Sequence, residues 1–102
     1  MLERRQKIES MLRSDPADSL LNYSLAMEWL SEGENEAAIA QFRKTIEVDP
    51  DNHSAYFQIG QIYNNAGEIE QSREALTAGI AVAQRVNDAH AVGEMTEYLE
   101  ML

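Results

Sequence analysis

The chain has no cysteine, only two prolines in 102 residues, and 8 basic side chains against 18 acidic ones. Without cysteine there is no disulfide framework and no thiolate metal site, which suits a cytoplasmic protein. No stretch approaches the roughly 20 consecutive apolar residues of a membrane-spanning helix. The opening MLERRQKIE is charged with no apolar run behind it, so no secretory signal is expected. Glycine is also sparse, and no phosphate-cradling glycine loop is present. The shortage of basic residues gives a formal net charge of −10, unevenly spread. Residues 1–13 carry four basic side chains against two acidic ones, a local +2, which leaves −12 on the rest. An acidic body repels phosphate backbones, so nucleic acid and anionic membrane surfaces are excluded as partners, whereas a basic protein partner is compatible.

Catalytic chemistry has little to work with. The two histidines, His53 and His90, lie in different segments. The run DPDNH brings Asp49, Asp51 and His53 close in sequence, but it offers no helix-face pair at i, i+4 and no calcium-loop glycine. Ser54 beside His53 and Asp51 has the letters of a triad without its geometry, since adjacency in sequence is not spatial convergence. No catalytic residue, metal or cofactor is expected.

What the chain does contain is a repeat. Pro16 and Pro50 stand 34 residues apart, in MLRSDPAD and TIEVDPDN. Residues 19–52 laid over 53–86 place Leu25 on Ile59, Ala26 on Gly60, Trp29 on Tyr63 and Gly33 on Gly67. Ala38 then falls on Ser72, Phe42 on Leu76 and Ile46 on Ile80; Ile39 against Arg73 is a mismatch. Each unit has the apolar spacing of two helices. Gly33 and Gly67 suit the left-handed residue that ends a first helix. Glu34, Glu36, Glu68 and Glu70 then open the second helices, with carboxylates at the positive end of the dipole. Asp49-Pro50 stops a second helix, and Asp51 or Asn52 caps the next. Ala26, Ala38, Gly60 and Ser72 fall where paired helices approach, and Trp29, Phe42, Tyr63 and Leu76 fill the flanking space. Gly79, inside a helix, costs about 1 kcal/mol against alanine unless close packing requires it.

Two registered copies of this pattern resemble the tetratricopeptide repeat, whose period is also 34. The first unit matches at Leu25, Ala26, Trp29, Ala38, Phe42 and Pro50; the second at Tyr56, Ile59, Gly60, Tyr63, Ser72 and Leu76. Departures are Asn22 where a large residue is usual, Thr45 and Gly79 for alanine, and Gln84 for proline. The resemblance implies an all-α fold, a right-handed α-α superhelix of about six helices, forming a single domain over 1–102. Its parts are an N-terminal helix at 3–13, repeats at 19–52 and 53–86, and a C-terminal capping helix at 88–102. Ile8 and Leu12 take the places of Phe42 and Ile46 in the first helix; Val92, Met95, Leu99 and Leu102 form the buried face of the last, with Glu94, Glu97 and Glu100 outward.

The same resemblance implies a concave groove lined by first helices. In this chain those positions hold Leu20, Tyr23, Met27, Leu30 and Ser31, then Ser54, Phe57, Gln61, Asn64 and Asn65. With Val92 counted in the register of Tyr56, His90 and Glu97 join them. Large apolar residues beside amides suit a peptide or an amphipathic helix, apolar with basic flanks. Tyr23, Met27, Leu30 and Phe57 are read as unclaimed by the repeat's own packing; the bland alternative for Leu20 and Leu30 is packing against neighbouring helices, with the N-terminal helix over part of the groove. Co-chaperone members of the family clamp carboxylates with basic residues at such positions, but Tyr23, Met27 and Gln58 stand there, so an acidic tail is a poor ligand for this face. The expected function is a non-catalytic protein–protein interaction module; the alternative is a homo-oligomeric scaffold stacking through the ends of its solenoid.

Overall fold

A computed structural model describes residues 2–102, leaving Met1 outside. Six helices follow in order: α1 (Leu2–Ser14), α2 (Ser19–Ser31), α3 (Asn35–Val48), α4 (His53–Asn65), α5 (Ile69–Arg85) and α6 (Ala89–Glu100). Among the described residues there is no strand, and no helix is long and apolar enough to cross a membrane. The chain divides into two compact units, one ending at Asp49 and the other running Pro50–Leu102. In the first, α2 packs against both α1 and α3; in the second, α5 packs against both α4 and α6.

The helix ends follow from local chemistry repeated along the chain. Asp18, Asn52 and Asp88 each accept a hydrogen bond from the backbone N–H three residues on, at Leu21, Ala55 and Ala91, and so open α2, α4 and α6. Of the two capping candidates before α4 the structure uses Asn52; Asp51 instead pairs with Arg85 at 2.9 Å. At the other ends of α2 and α4, Gly33 and Gly67 adopt φ of +78°. The N–H groups of Gly33 and Glu34 return to Leu30 and Trp29, and those of Gly67 and Glu68 to Asn64 and Tyr63, which closes the same 6→1, 5→2 motif twice. After α5 the motif recurs with Asn87 at φ +62°, one of the few L-residues that tolerate this region. With Gln84 where proline is usual, α5 continues to Arg85, and α6 starts 36 residues after α4 rather than 34.

Within each unit the helices meet at small residues. Ala26 and Ala38 are fully buried between α2 and α3, beside Phe42 and Thr45. Between α4 and α5, the Ser72 hydroxyl donates to the Gly60 carbonyl at 2.7 Å, and a Cβ on Gly60 would lie 2.9 Å from Leu76 Cγ. Gly79 is likewise required by close packing: a Cβ there would stand 2.8 Å from both Met95 Sδ and Tyr56 Cβ. Leu76, Ala83, Ala91 and Met95 form the core of this unit, flanked by Ile80, Val92, Leu99 and Leu102.

Asn22, in place of a large apolar residue, is only 2% exposed and fully bonded. Its amide N–H groups donate to the carbonyls of Pro16 and Asp18, and its oxygen accepts from Gln41 at 2.7 Å, which ties the α1–α2 turn to α3. Thr45, in an alanine position, is buried with its hydroxyl donating back to the Gln41 carbonyl.

Three outcomes are expected in urea unfolding. Gly79→Ala will lower stability by about 1–3 kcal/mol despite better helix propensity, because Tyr56 Cβ is part of a fixed backbone neighbourhood. Gly93→Ala, where an added Cβ meets nothing within 4 Å, will raise it by up to about 1 kcal/mol. Asn22→Leu restores the usual residue type of the repeat, yet it will cost about 1–3 kcal/mol by leaving the Gln41 amide and the Pro16 carbonyl without their partner, while the Asp18 carbonyl keeps the backbone N–H of residue 22.

Candidate functional site

Leu20, Tyr23, Met27 and Leu30 follow three- and four-residue spacing along α2 and therefore share one of its faces. Leu20 is 73% exposed and Met27 37%, whereas Tyr23 and Leu30 are half-buried. Tyr23 stands edge-on to Phe42, ring centroids 5.4 Å apart at 67°, so part of its ring belongs to the α2–α3 core and part to the surface. Neighbouring Ser31 is exposed and donates its hydroxyl to the Glu28 carbonyl. Leu21, Leu25, Ala26 and Trp29 put further apolar side chains on the other sides of α2, beside the hydrogen-bonded Asn22 and Glu28, so apolar residues lie around most of its circumference. Such a helix is ordinarily enclosed by neighbours; here one apolar stripe remains at the surface.

The N-terminal helix is held on α2 by charge. Arg4 pairs with Glu28 at 3.0 Å, Arg5 with Glu32 at 3.0 Å, and the Arg5 guanidinium lies 4.2 Å from the centre of the Trp29 ring. Burial of Glu28 works to raise its pKa, but the hydrogen bond and charge of Arg4 act against burial, and the carboxyl lies below its usual range. These ion pairs and the ring contact go to Glu28, Trp29 and Glu32, and none of them to the four residues of the stripe.

In the second unit the α4 candidates divide. Phe57 is half-buried against the Leu76–Met95 core and meets Tyr98 edge-to-face, centroids 5.6 Å apart at 78°. The reading of Phe57 as unclaimed by internal packing is therefore corrected: α6 supplies the aromatic that claims it. Asn64 donates its amide to the Tyr98 hydroxyl at 2.9 Å. Gln61 is half-buried, and Ser54 and Asn65 are exposed. Tyr98 thus holds two site candidates in place, and sequence reasoning did not single it out. Its signal was an aromatic on a glutamate-rich last helix, three residues from Met95. The α6 register puts Val92 in the place of Tyr56, with His90 and Glu97 exposed, and His90 lies 3.5 Å from Glu94.

The DPDNH cluster disperses. Asp49 accepts from the Ser19 hydroxyl at 2.8 Å, Asp51 pairs with Arg85, and His53 Nε2 lies 3.1 Å from Asp88 Oδ2. Asp88 thereby joins the starts of α4 and α6. Its pKa lies below the ordinary aspartate value: the N–H of Ala91 is the largest cause, partial burial opposes it, and His53 and His90 add to the lowering.

Residues 29–67 match a family model described as TPR repeat, and residues 53–85 match one described as tetratricopeptide repeat. A TPR repeat-containing protein of Pseudomonas aeruginosa is 30% identical over 95 residues, covering 93% of this chain and 90% of that protein. The solution structure of a tetratricopeptide repeat domain protein from Salinibacter ruber aligns with a TM-score of 0.78 at 26% identity, over 85% of this chain and 88% of its own. The crystal structure of PcrH in complex with the chaperone binding region of PopD aligns with a TM-score of 0.88 over 97% of this chain and 75% of that one. Its identity is 14%, so that likeness is one of fold.

The Asp88 shift sets a direction for acid unfolding. A carboxyl whose folded pKa is depressed contributes stability above its unfolded pKa and loses it as pH falls through the folded one. Wild type is expected to lose stability below about pH 4 more steeply than Asp88→Asn, which keeps a capping oxygen but does not titrate. Urea midpoints at pH 6 and pH 3 check this: the gap between the two proteins must narrow at the lower pH.

Proposed function

Because the chain belongs to the tetratricopeptide-repeat family, we propose that it is a non-catalytic protein–protein interaction module, acting in the cytoplasm, whose first helices hold an apolar peptide or amphipathic helix. The observation that carries this reading is the apolar stripe on α2: Leu20 and Met27 at the surface, with Tyr23 and Leu30 half-buried between and beside them. Exposed apolar side chains at helical spacing are the complement of a partner helix with anchors at i, i+3 or i+4, and i+7. Methionine adapts its shape to such anchors, and Tyr23 supplies area with little rotamer entropy to lose because Phe42 already fixes its ring.

In the second unit the α4 face offers amides rather than apolar bulk. Gln61 and Asn65, with Asn64 oriented by Tyr98, suit hydrogen bonds to the backbone of a bound chain. Basic residues flanking the partner's anchors agree with a net charge of −10, which accelerates encounter more than it tightens the final complex. The same fold in PcrH is solved with the chaperone binding region of PopD; that is a property of PcrH and agrees with the mode proposed here.

Tyr23 and Phe57 are poor positions for a test, since truncating either also disturbs the core. Leu20→Asp/Met27→Asp leaves that packing intact. In a pull-down from native lysate, this variant, with helicity and melting unchanged, is expected to lose a partner retained by wild type, a loss of tenfold or more for two anchors at about 1 kcal/mol or above each. Equal retention would place binding away from α2.

A further inference from the structure

Besides the stripe on α2, the first unit carries an open cleft of about 600 Å³ in which α1 and α3 form the walls and α2 the floor. We propose that this cleft is a second binding site, and that its occupant is an acidic–apolar peptide segment: apolar side chains entering between the helices, with carboxylates reaching Arg13 and Lys44 at its edges.

The distribution of charge carries the argument. Six of the eight basic residues lie in residues 1–49. Arg4 and Arg5 are held by Glu28, Glu32 and Glu9, Arg43 has a partner of its own, and Lys7 is exposed on α1 outside the cleft. Among the described residues Arg13 and Lys44 take part in no ion pair, and both line the cleft from different helices. The one carboxylate lining it, Glu9, already lies 3.4 Å from the Arg5 guanidinium. An otherwise acidic protein therefore presents two uncompensated cations at one place. The same cleft has apolar lining from all three helices, with Leu12 on α1, Leu25 on α2 and Ala40 on α3.

Shape selects the kind of ligand. A site for a free small molecule closes over most of its surface, whereas this cleft is open, as a groove between helices is when it accepts a chain segment. Gln41 stands on the α3 wall with one amide N–H given to Asn22, leaving its second N–H and its oxygen oriented by that bond. A peptide backbone can use both. This ligand class is opposite in charge to the one proposed for the α2 stripe, and the two sites lie on different faces of α2: Asn22 and Leu25 line the cleft, Leu20 and Met27 do not.

The test uses an acetylated, amidated peptide of leucines flanked by glutamates, titrated into the labelled full chain and followed by amide chemical shifts. Saturable shifts are expected around Arg13 on α1 and Lys44 on α3. Arg13→Gln/Lys44→Gln, both at exposed positions, is expected to weaken binding tenfold or more, while Arg73→Gln on α5 and Leu20→Asp/Met27→Asp leave it unchanged. Binding unaffected by the Arg13/Lys44 pair, shifts centred elsewhere, or no saturation by about 1 mM would overturn the proposal. Loss in the Leu20/Met27 variant as well would mean that one site serves both ligands. That result would also overturn it, without touching the reading of the stripe.

Discussion

The second unit depends on two places where a helix has no room for a side chain. At Gly60 the α4 backbone lies against Leu76, and its carbonyl receives the Ser72 hydroxyl; at Gly79 the α5 backbone lies against Tyr56 and Met95. These contacts set how closely α4 and α5 pair and where α6 sits. Packing at interior density leaves no slack for a methyl group there, so glycine in mid-helix is tolerated in spite of its entropy. In the first unit Ala26 and Ala38 perform the same task with one more carbon each, and Thr45 fits because its hydroxyl folds back on its own helix.

Around these close approaches the fold is assembled from polar joints, each satisfied locally. One capping carboxamide and two capping carboxylates open α2, α4 and α6, and Asp88 combines its cap with a contact to His53. Asn22 is the strongest case of a residue that breaks the family pattern and improves the structure. A leucine there would fill the same space and leave the part-buried Gln41 amide and the Pro16 carbonyl without a partner. Charge is divided just as functionally: Arg4 and Arg5 hold α1 on α2, while Arg13 and Lys44 are left at a cleft. The positive excess of residues 1–13 is thus partly structural, and only its remainder is available to a ligand.

Much of this was legible in the chain. Gly33 and Gly67 marked left-handed helix ends, Asp49-Pro50 marked the joint between units, and the 34-residue superposition identified the small residues of the helix interfaces. The candidate face was legible in part. Leu20 and Met27 are exposed as that reading requires. Phe57 was misjudged because its neighbour, Tyr98, lies 41 positions later on a helix whose register the repeat did not fix. The docking of Arg5 on Trp29 and the bond from Gln41 to Asn22 were invisible for the same reason.

The sequence by itself determined the helices, their caps and their repeat, because each rests on residues within four positions of one another or on a period that can be counted. Only the tertiary structure decided which aromatic ring is core and which is surface, which arginines are paired, and which two cations meet at one cleft. Those outcomes depend on partners brought together from helices far apart in the chain. Burial and electrostatic pairing are properties of the assembled neighbours rather than of the residue that carries the side chain.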